Sequence, residues 1–166
     1  MRIEHLEPRS TAPELMYDWE NLLGVCGGRS GMPGGEYYTH CDRARRDRPL
    51  TIRPTAAVEA SLRYARQAPD GEVNDDPGLW LIAPAELQAD VDTLHLNNPA
   101  LRRARRDAEK NVATLLERRH KQGKPMVPFL RQLWQAAATP DGEGCLPAFA
   151  PVVQRYVEGK LRAHGA

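Results

Sequence analysis

No stretch of this sequence approaches the roughly 20 consecutive apolar residues that a membrane-spanning helix requires. The opening Met1-Arg2-Ile3-Glu4-His5 has no apolar core of the kind a signal peptide carries, so a cytoplasmic protein without membrane association is expected. Cysteine is scarce and odd in number: Cys26, Cys41 and Cys145. Three cysteines without an export signal favour thiols or metal ligands over a disulfide framework. No internal repeat or low-complexity tract excludes an ordinary globular fold, and a net charge of +1 argues neither for nor against a nucleic-acid partner.

The distribution of charge says more than its sum. From Ala68 to Asp92 there are seven acidic residues and no Lys or Arg, whereas Asn98 to Lys124 holds nine Lys/Arg against three acids. Segregation of this kind can build a local positive surface on a near-neutral chain. The 166 residues, 41% of them hydrophobic, suffice for one domain or a small module with an extension.

Up to about Pro54 the chain is rich in Gly, Pro and Arg, and Pro8, Pro13, Pro33 and Pro49 forbid a long helix. Met1 to Leu6 reads as a strand running into His5. Leu15, Trp19, Leu22 and Leu23 recur at helical spacing, which predicts a short helix over Pro13 to Gly24 with Trp19 in the core. Ser61 to Arg66 alternates polar and apolar residues, and Pro69-Asp70-Gly71 then Glu72-Val73 predicts a hairpin. The remainder reads as helical. Leu87, Val91 and Leu94 follow Pro84; Asn98-Pro99 is a helix start ahead of a stripe of Leu101, Ala104, Ala108, Val112 and Leu115 that ends before Gly123. Met126, Phe129, Leu130, Leu133 and Trp134 form another stripe, and Phe149, Val152, Val153, Tyr156 and Val157 a last one. Cys145, set among these helices, reads as a packed thiol.

Glu4-His5 places a carboxylate beside an imidazole. Phosphodiester hydrolysis needs water deprotonated, phosphate charge neutralised and the leaving oxygen stabilised; an imidazole suits the first task and a carboxylate-held divalent cation the others. On a strand the two side chains point to opposite faces unless a bend follows, and Leu6-Glu7-Pro8 supplies one. Alone, the pair is better explained by an exposed Glu and a surface His.

Three ordered segments extend it: Ile3-Glu4-His5-Leu6-Glu7-Pro8-Arg9-Ser10, Tyr17-Asp18-Trp19-Glu20-Asn21-Leu22-Leu23-Gly24-Val25-Cys26, and His40-Cys41-Asp42-Arg43-Ala44-Arg45-Arg46-Asp47. Together they resemble the HNH endonucleases, and more narrowly the HNH family found with retrons and Septu-type anti-phage systems; Leu94-His95-Leu96-Asn97 before a basic helix resembles it more weakly. The resemblance implies an α+β protein: a ββα-metal core over residues 1–54, then a hairpin and mainly helical extension over 55–166. It implies His5 as general base, Asn21 holding the loop that carries the base, and Glu4 and Asp42 as ligands of Mg²⁺ or Mn²⁺, all converging on one cleft. Arg43, Arg45 and Arg46 would meet the DNA backbone, contacts that are salt-sensitive and blind to sequence.

Cys26 and Cys41 match the second pair of a structural zinc knuckle and should approach one another. The family commonly draws the other two ligands from a Cys-x-x-Cys before the acidic-His segment, which this sequence does not contain, so either it begins late or the knuckle is degenerate. His40 offers a third ligand, although adjacent ligands at 40 and 41 are geometrically awkward. The implied function is DNA cleavage in phage defence beside a partner ATPase and a retron reverse transcriptase. The competing reading is a catalytically degenerate HNH-like module that binds the ATPase.

Overall fold

In the computed structural model, residues 2–51, 53–68 and 78–166 are described. The chain is α+β, built of three two-stranded antiparallel sheets and six helices among those residues. It divides into two compact units, Met1–Arg103 and Ala104–Ala166. The division therefore falls inside a helix and not at the boundary expected after Pro54.

In the first unit, β1 (Arg2–His5) pairs with β2 (Leu22–Val25), with Glu4 opposite Leu23 and His5 opposite Leu22. The helix expected over Pro13 to Gly24 does not form. Two single 3₁₀ turns, Pro13–Leu15 and Trp19–Asn21, lead into β2, and Trp19 is 79% exposed instead of lying in the core. The reason is a tertiary demand: β1 needs a strand beside it to satisfy its backbone groups, and that outweighs a helical spacing carried by four residues.

A hairpin of β3 (Arg29–Gly31) and β4 (Tyr37–Thr39) follows, then the short helix α1 (Asp42–Arg45). Next come α2 (Ala56–Ser61), capped by the Thr55 hydroxyl accepting from the Val58 amide, and β5 (Arg63–Ala65). The strand expected in Ser61 to Arg66 is present, but its partner is β6 (Trp80–Ile82); the predicted turn and return strand at Pro69 to Val73 lie outside the described residues. The helix α3 (Ala85–Thr93) stands where the Leu87 and Val91 spacing put it, and both residues are buried.

Helix α4 (Pro99–Lys121) starts as its sequence predicts, with Asn98 Oδ1 accepting from the Leu101 amide at 3.0 Å. Its buried face is displaced by about one residue from the expected stripe. Arg102, Arg105, Glu109, Val112 and Leu116 are buried, whereas Leu115 is 42% exposed. Long arginine stems pack like hydrocarbon, and the Arg102 guanidinium lies 4.0 Å over the Trp80 ring. Two arginines of the basic segment, Arg102 and Arg105, are thus interior residues and do not contribute to a positive surface.

The second unit packs α5 (Met126–Ala138) against α6 (Ala150–Ala163) and the latter part of α4. Val112, Leu116, Leu130 and Val157 are its buried centre, with Phe129, Leu133, Trp134, Val153 and Tyr156 around them. The whole of the α5 stripe and Val153, Tyr156 and Val157 of the last stripe face this core. Cys145 does not; it is exposed in the turn between α5 and α6, where Asp141 Oδ1 accepts from its amide at 2.9 Å. No described helix is long and apolar enough to cross a membrane.

Candidate functional site

An open cleft of about 820 Å³ lies in the first unit, lined by Glu4 and His5 of β1, by Asp42, Arg43 and Arg45 of α1, and by Arg46 and Asp47 beyond it. Glu4 and His5 are neighbours on a strand, yet both line the cleft, because His5 is the last strand residue and the chain bends at Leu6-Glu7. Arg2 lies on the same strand face as Glu4 and comes within 3.5 Å of its carboxylate.

His5 Nε2 is 2.9 Å from the carbonyl oxygen of Met16. A carbonyl only accepts, so this bond puts the proton on Nε2 and leaves the lone pair of a neutral ring on Nδ1. The loop carrying Met16 is held in turn by Asn21, which is 2% exposed and lies behind the cleft, not in its lining. Asn21 Oδ1 accepts from the Glu7 amide at 2.7 Å, and its Nδ2 donates to the carbonyls of Glu7 at 3.1 Å and Leu15 at 3.2 Å. One carboxamide thereby imitates a strand residue for Glu7 and anchors the residue before Met16. Asn97 does the same for Leu81, accepting from its amide at 2.8 Å and donating to its carbonyl at 2.9 Å.

Replacing Asn21 with Ala leaves buried partners unsatisfied, so about 2–4 kcal/mol of stability should be lost in urea denaturation. Asn21→Asp should be at least as damaging, because a carboxylate cannot donate to the Glu7 and Leu15 carbonyls. A neutral outcome for both would remove Asn21 from the support of the His5 loop.

Arg45 differs from its sequence-based role. It is 4% exposed, and its guanidinium donates to the Leu6 carbonyl at 3.1 Å and to the His5 carbonyl. Those bonds tie α1 to the end of β1 and leave the side chain poorly placed to meet a polymer backbone. Arg43 donates through Nε to the Gly27 carbonyl at 2.9 Å but is exposed, as is Arg46. These two keep a cationic edge on the cleft.

Among the described residues, the tightest group of side chains that could hold a metal ion lies elsewhere in the same unit. The donor atoms of Cys26, His40 and Cys41 all lie within 4.8 Å of each other, and this group could hold a metal ion. The sulfurs of Cys26 and Cys41 are 3.3 Å apart, and His40 Nδ1 is 3.6 Å from the first and 3.2 Å from the second. Among the described residues no other group of three His, Cys, Asp or Glu converges this closely, so Glu4, His5 and Asp42 share a cleft without forming as tight a cluster.

The awkwardness of adjacent ligands at 40 and 41 is resolved by the backbone. Cys41 has φ 52°, a left-handed value that turns its thiol back toward the His40 ring. The β3–β4 hairpin delivers His40 beside Cys26, and Ser30 Oγ, 2.8 Å from His40 Nε2, fixes the ring with Nδ1 toward the sulfurs. The resemblance implied the two cysteines and His40 was offered as a third ligand; Ser30 needed the hairpin register. The glycines at 27 and 28 were the available signal.

Gly28 has φ +66° and accepts the His40 amide at 3.0 Å; a Cβ there would stand 2.7 Å from the His40 carbonyl oxygen. Gly28→Ala should therefore cost more than the roughly 1–2 kcal/mol of a left-handed alanine. It should also weaken metal binding in competition with a zinc-sensitive dye. Unchanged affinity would show that this turn does not set the ligand geometry.

No family model, curated protein or solved structure matches the chain.

Proposed function

We propose that this protein is a metal-dependent phosphodiesterase of HNH type that cleaves DNA. The observation that carries the reading is the His5 ring held by the Met16 carbonyl, in a cleft with three carboxylates, Glu4, Asp42 and Asp47, and an arginine edge. With Nε2 protonated, Nδ1 is the atom that accepts a proton from an attacking water. Asn21 and Arg45 support it, fixing the His5–Glu7 backbone through bonds to the Glu7 and to the His5 and Leu6 carbonyls. Arg43 and Arg46 bind the flanking phosphates.

Glu4 and Asp42 offer hard oxygen donors, which suit Mg²⁺ or Mn²⁺ better than a soft ion. A divalent cation bound there would neutralise phosphate charge and stabilise the leaving oxygen. The β1–β2 pair with α1 is consistent with a ββα-metal core. The Cys26-His40-Cys41 set is of another chemistry: two thiols and an imidazole suit Zn²⁺ in a structural role. Its position supports that role, because Cys41 caps α1 immediately before Asp42.

The resemblance in sequence extends the proposal to anti-phage defence beside an ATPase and a retron reverse transcriptase. Plasmid nicking or linearisation in Mg²⁺, abolished by EDTA, tests the activity. Cleavage that ignores chelation rejects the mechanism. A folded protein that is inactive in the presence of those partners supports the interaction module.

A further inference from the structure

Three aromatic rings in the first unit face solvent: Tyr37, 62% exposed with the Arg29 guanidinium 4.1 Å over it, and a close pair in the chain, Tyr17 and Trp19. Tyr17 is 87% exposed and Trp19 79%. Large aromatic side chains usually bury most of their surface, so a pair displayed within three residues calls for a binding explanation.

The backbone that carries them is already ordered. The Asp18 amide donates to the Leu15 carbonyl at 3.1 Å, the Asn21 amide to the Asp18 carbonyl at 2.9 Å, and the Glu20 amide to Asp18 Oδ1 at 3.0 Å. Arg53 donates to the Glu20 carbonyl, and Asn21 Nδ2 to that of Leu15. Rings presented on a fixed turn lose little freedom when something stacks on them.

Their place in the chain points to what stacks. Tyr17 directly follows Met16, which lines the cleft and holds His5; Trp19 precedes by three residues Leu22, the cross-strand partner of His5. The same cleft is edged by Arg2, Arg9, Arg43 and Arg46, all exposed. Guanidinium groups that follow a phosphate chain beside aromatic faces are the two components of single-strand recognition. A duplex offers the phosphates but keeps its base faces stacked on one another.

We propose that Tyr17 and Trp19 form a stacking platform for unpaired bases beside the cleft, so that the substrate class is single-stranded nucleic acid or an unpaired end or loop. The proposal rests on the phosphodiesterase reading for the adjacency of platform and chemistry, but binding can be measured without cleavage.

The experiment is fluorescence anisotropy with a labelled single-stranded oligonucleotide and the blunt duplex of the same sequence, in EDTA. Wild type should bind the single strand more tightly. Tyr17→Ala and Trp19→Ala should each weaken that binding roughly five- to a hundredfold, the range for one stacked base. Duplex binding should stay unchanged, and Trp19→Phe should restore most of the loss. Circular dichroism confirms folding, which exposed positions should not disturb. Equal affinity for both forms, no binding of either, or alanine variants that bind the single strand like wild type would each overturn the platform. A wild type that binds single strands through these rings but cleaves nothing in Mg²⁺ would keep the platform and reject the nuclease. Cleavage indifferent to Tyr17 and Trp19 would do the reverse.

Discussion

His5→Ala should reduce Mg²⁺-dependent cleavage by about 10²–10⁴-fold, the contribution of a positioned general base, while leaving the fold intact. The side chain is half-buried at the edge of an open cleft, and its one side-chain bond is to the Met16 carbonyl, which water can reach once the ring is gone. Single-turnover cleavage of a labelled substrate, with circular dichroism and a urea titration in parallel, separates the two effects. Asp42→Ala should also lose activity, partly recovered by raising Mg²⁺ or Mn²⁺, since the loss would lie in metal affinity and not in proton transfer. The neighbouring arginines should split: Arg46→Ala should weaken binding to all sequences and reduce its salt dependence, whereas Arg45→Ala should destabilise the protein, because the His5 and Leu6 carbonyls lose their buried donor. Full activity in His5→Ala would sink the mechanism outright.

The second large effect concerns the sulfur site. An ion that binds only the folded chain stabilises it by about 4.1 kcal/mol when free metal is a thousandfold above its dissociation constant. Under reducing conditions the melting temperature of wild type should therefore rise with Zn²⁺ and fall with a strong chelator, and that of Cys41→Ser should respond to neither. The consequence should reach the cleft. The Cys41 carbonyl accepts from the Ala44 and Arg45 amides, and its own amide donates to the Leu94 carbonyl at 2.8 Å. Loosening Cys41 thus loosens the start of α1, where Asp42 sits, and its junction with the end of α3. Cobalt substitution gives a readout independent of cleavage: two thiolates and an imidazole should produce sulfur-to-metal charge-transfer absorption, and His40→Ala should alter it. A melting curve indifferent to both zinc and chelator would remove the metal from this group.

The sequence carried the second unit's helices and the two cysteines with little loss, because their signals are local. Asn98-Pro99 starts α4 through a bond between residues three apart, and the stripes of α5 and α6 repeat within each helix. Glu4-His5 before a proline bend was legible for the same reason, whereas the approach of Cys26 to Cys41 was implied only by the resemblance to a zinc knuckle. The rest depended on which distant segments meet. A helical spacing at Leu15, Trp19 and Leu22 gave way to strand pairing with β1, which put Trp19 in solvent. The strand at Arg63–Ala65 pairs with Trp80–Ile82, a partner its own alternation could not name. His40 stood in the sequence as an awkward third ligand, and the register of Arg29–Gly31 against Tyr37–Thr39 with the positive φ at Cys41 is what brings its ring to the thiols. Arg45 looked like its exposed neighbours in sequence, and only its place between α1 and β1 turned it inward. Composition and periodicity report what each residue prefers next to its neighbours; tertiary structure chose among those preferences wherever a backbone group, a thiol or a guanidinium had to be satisfied by a partner distant in the chain.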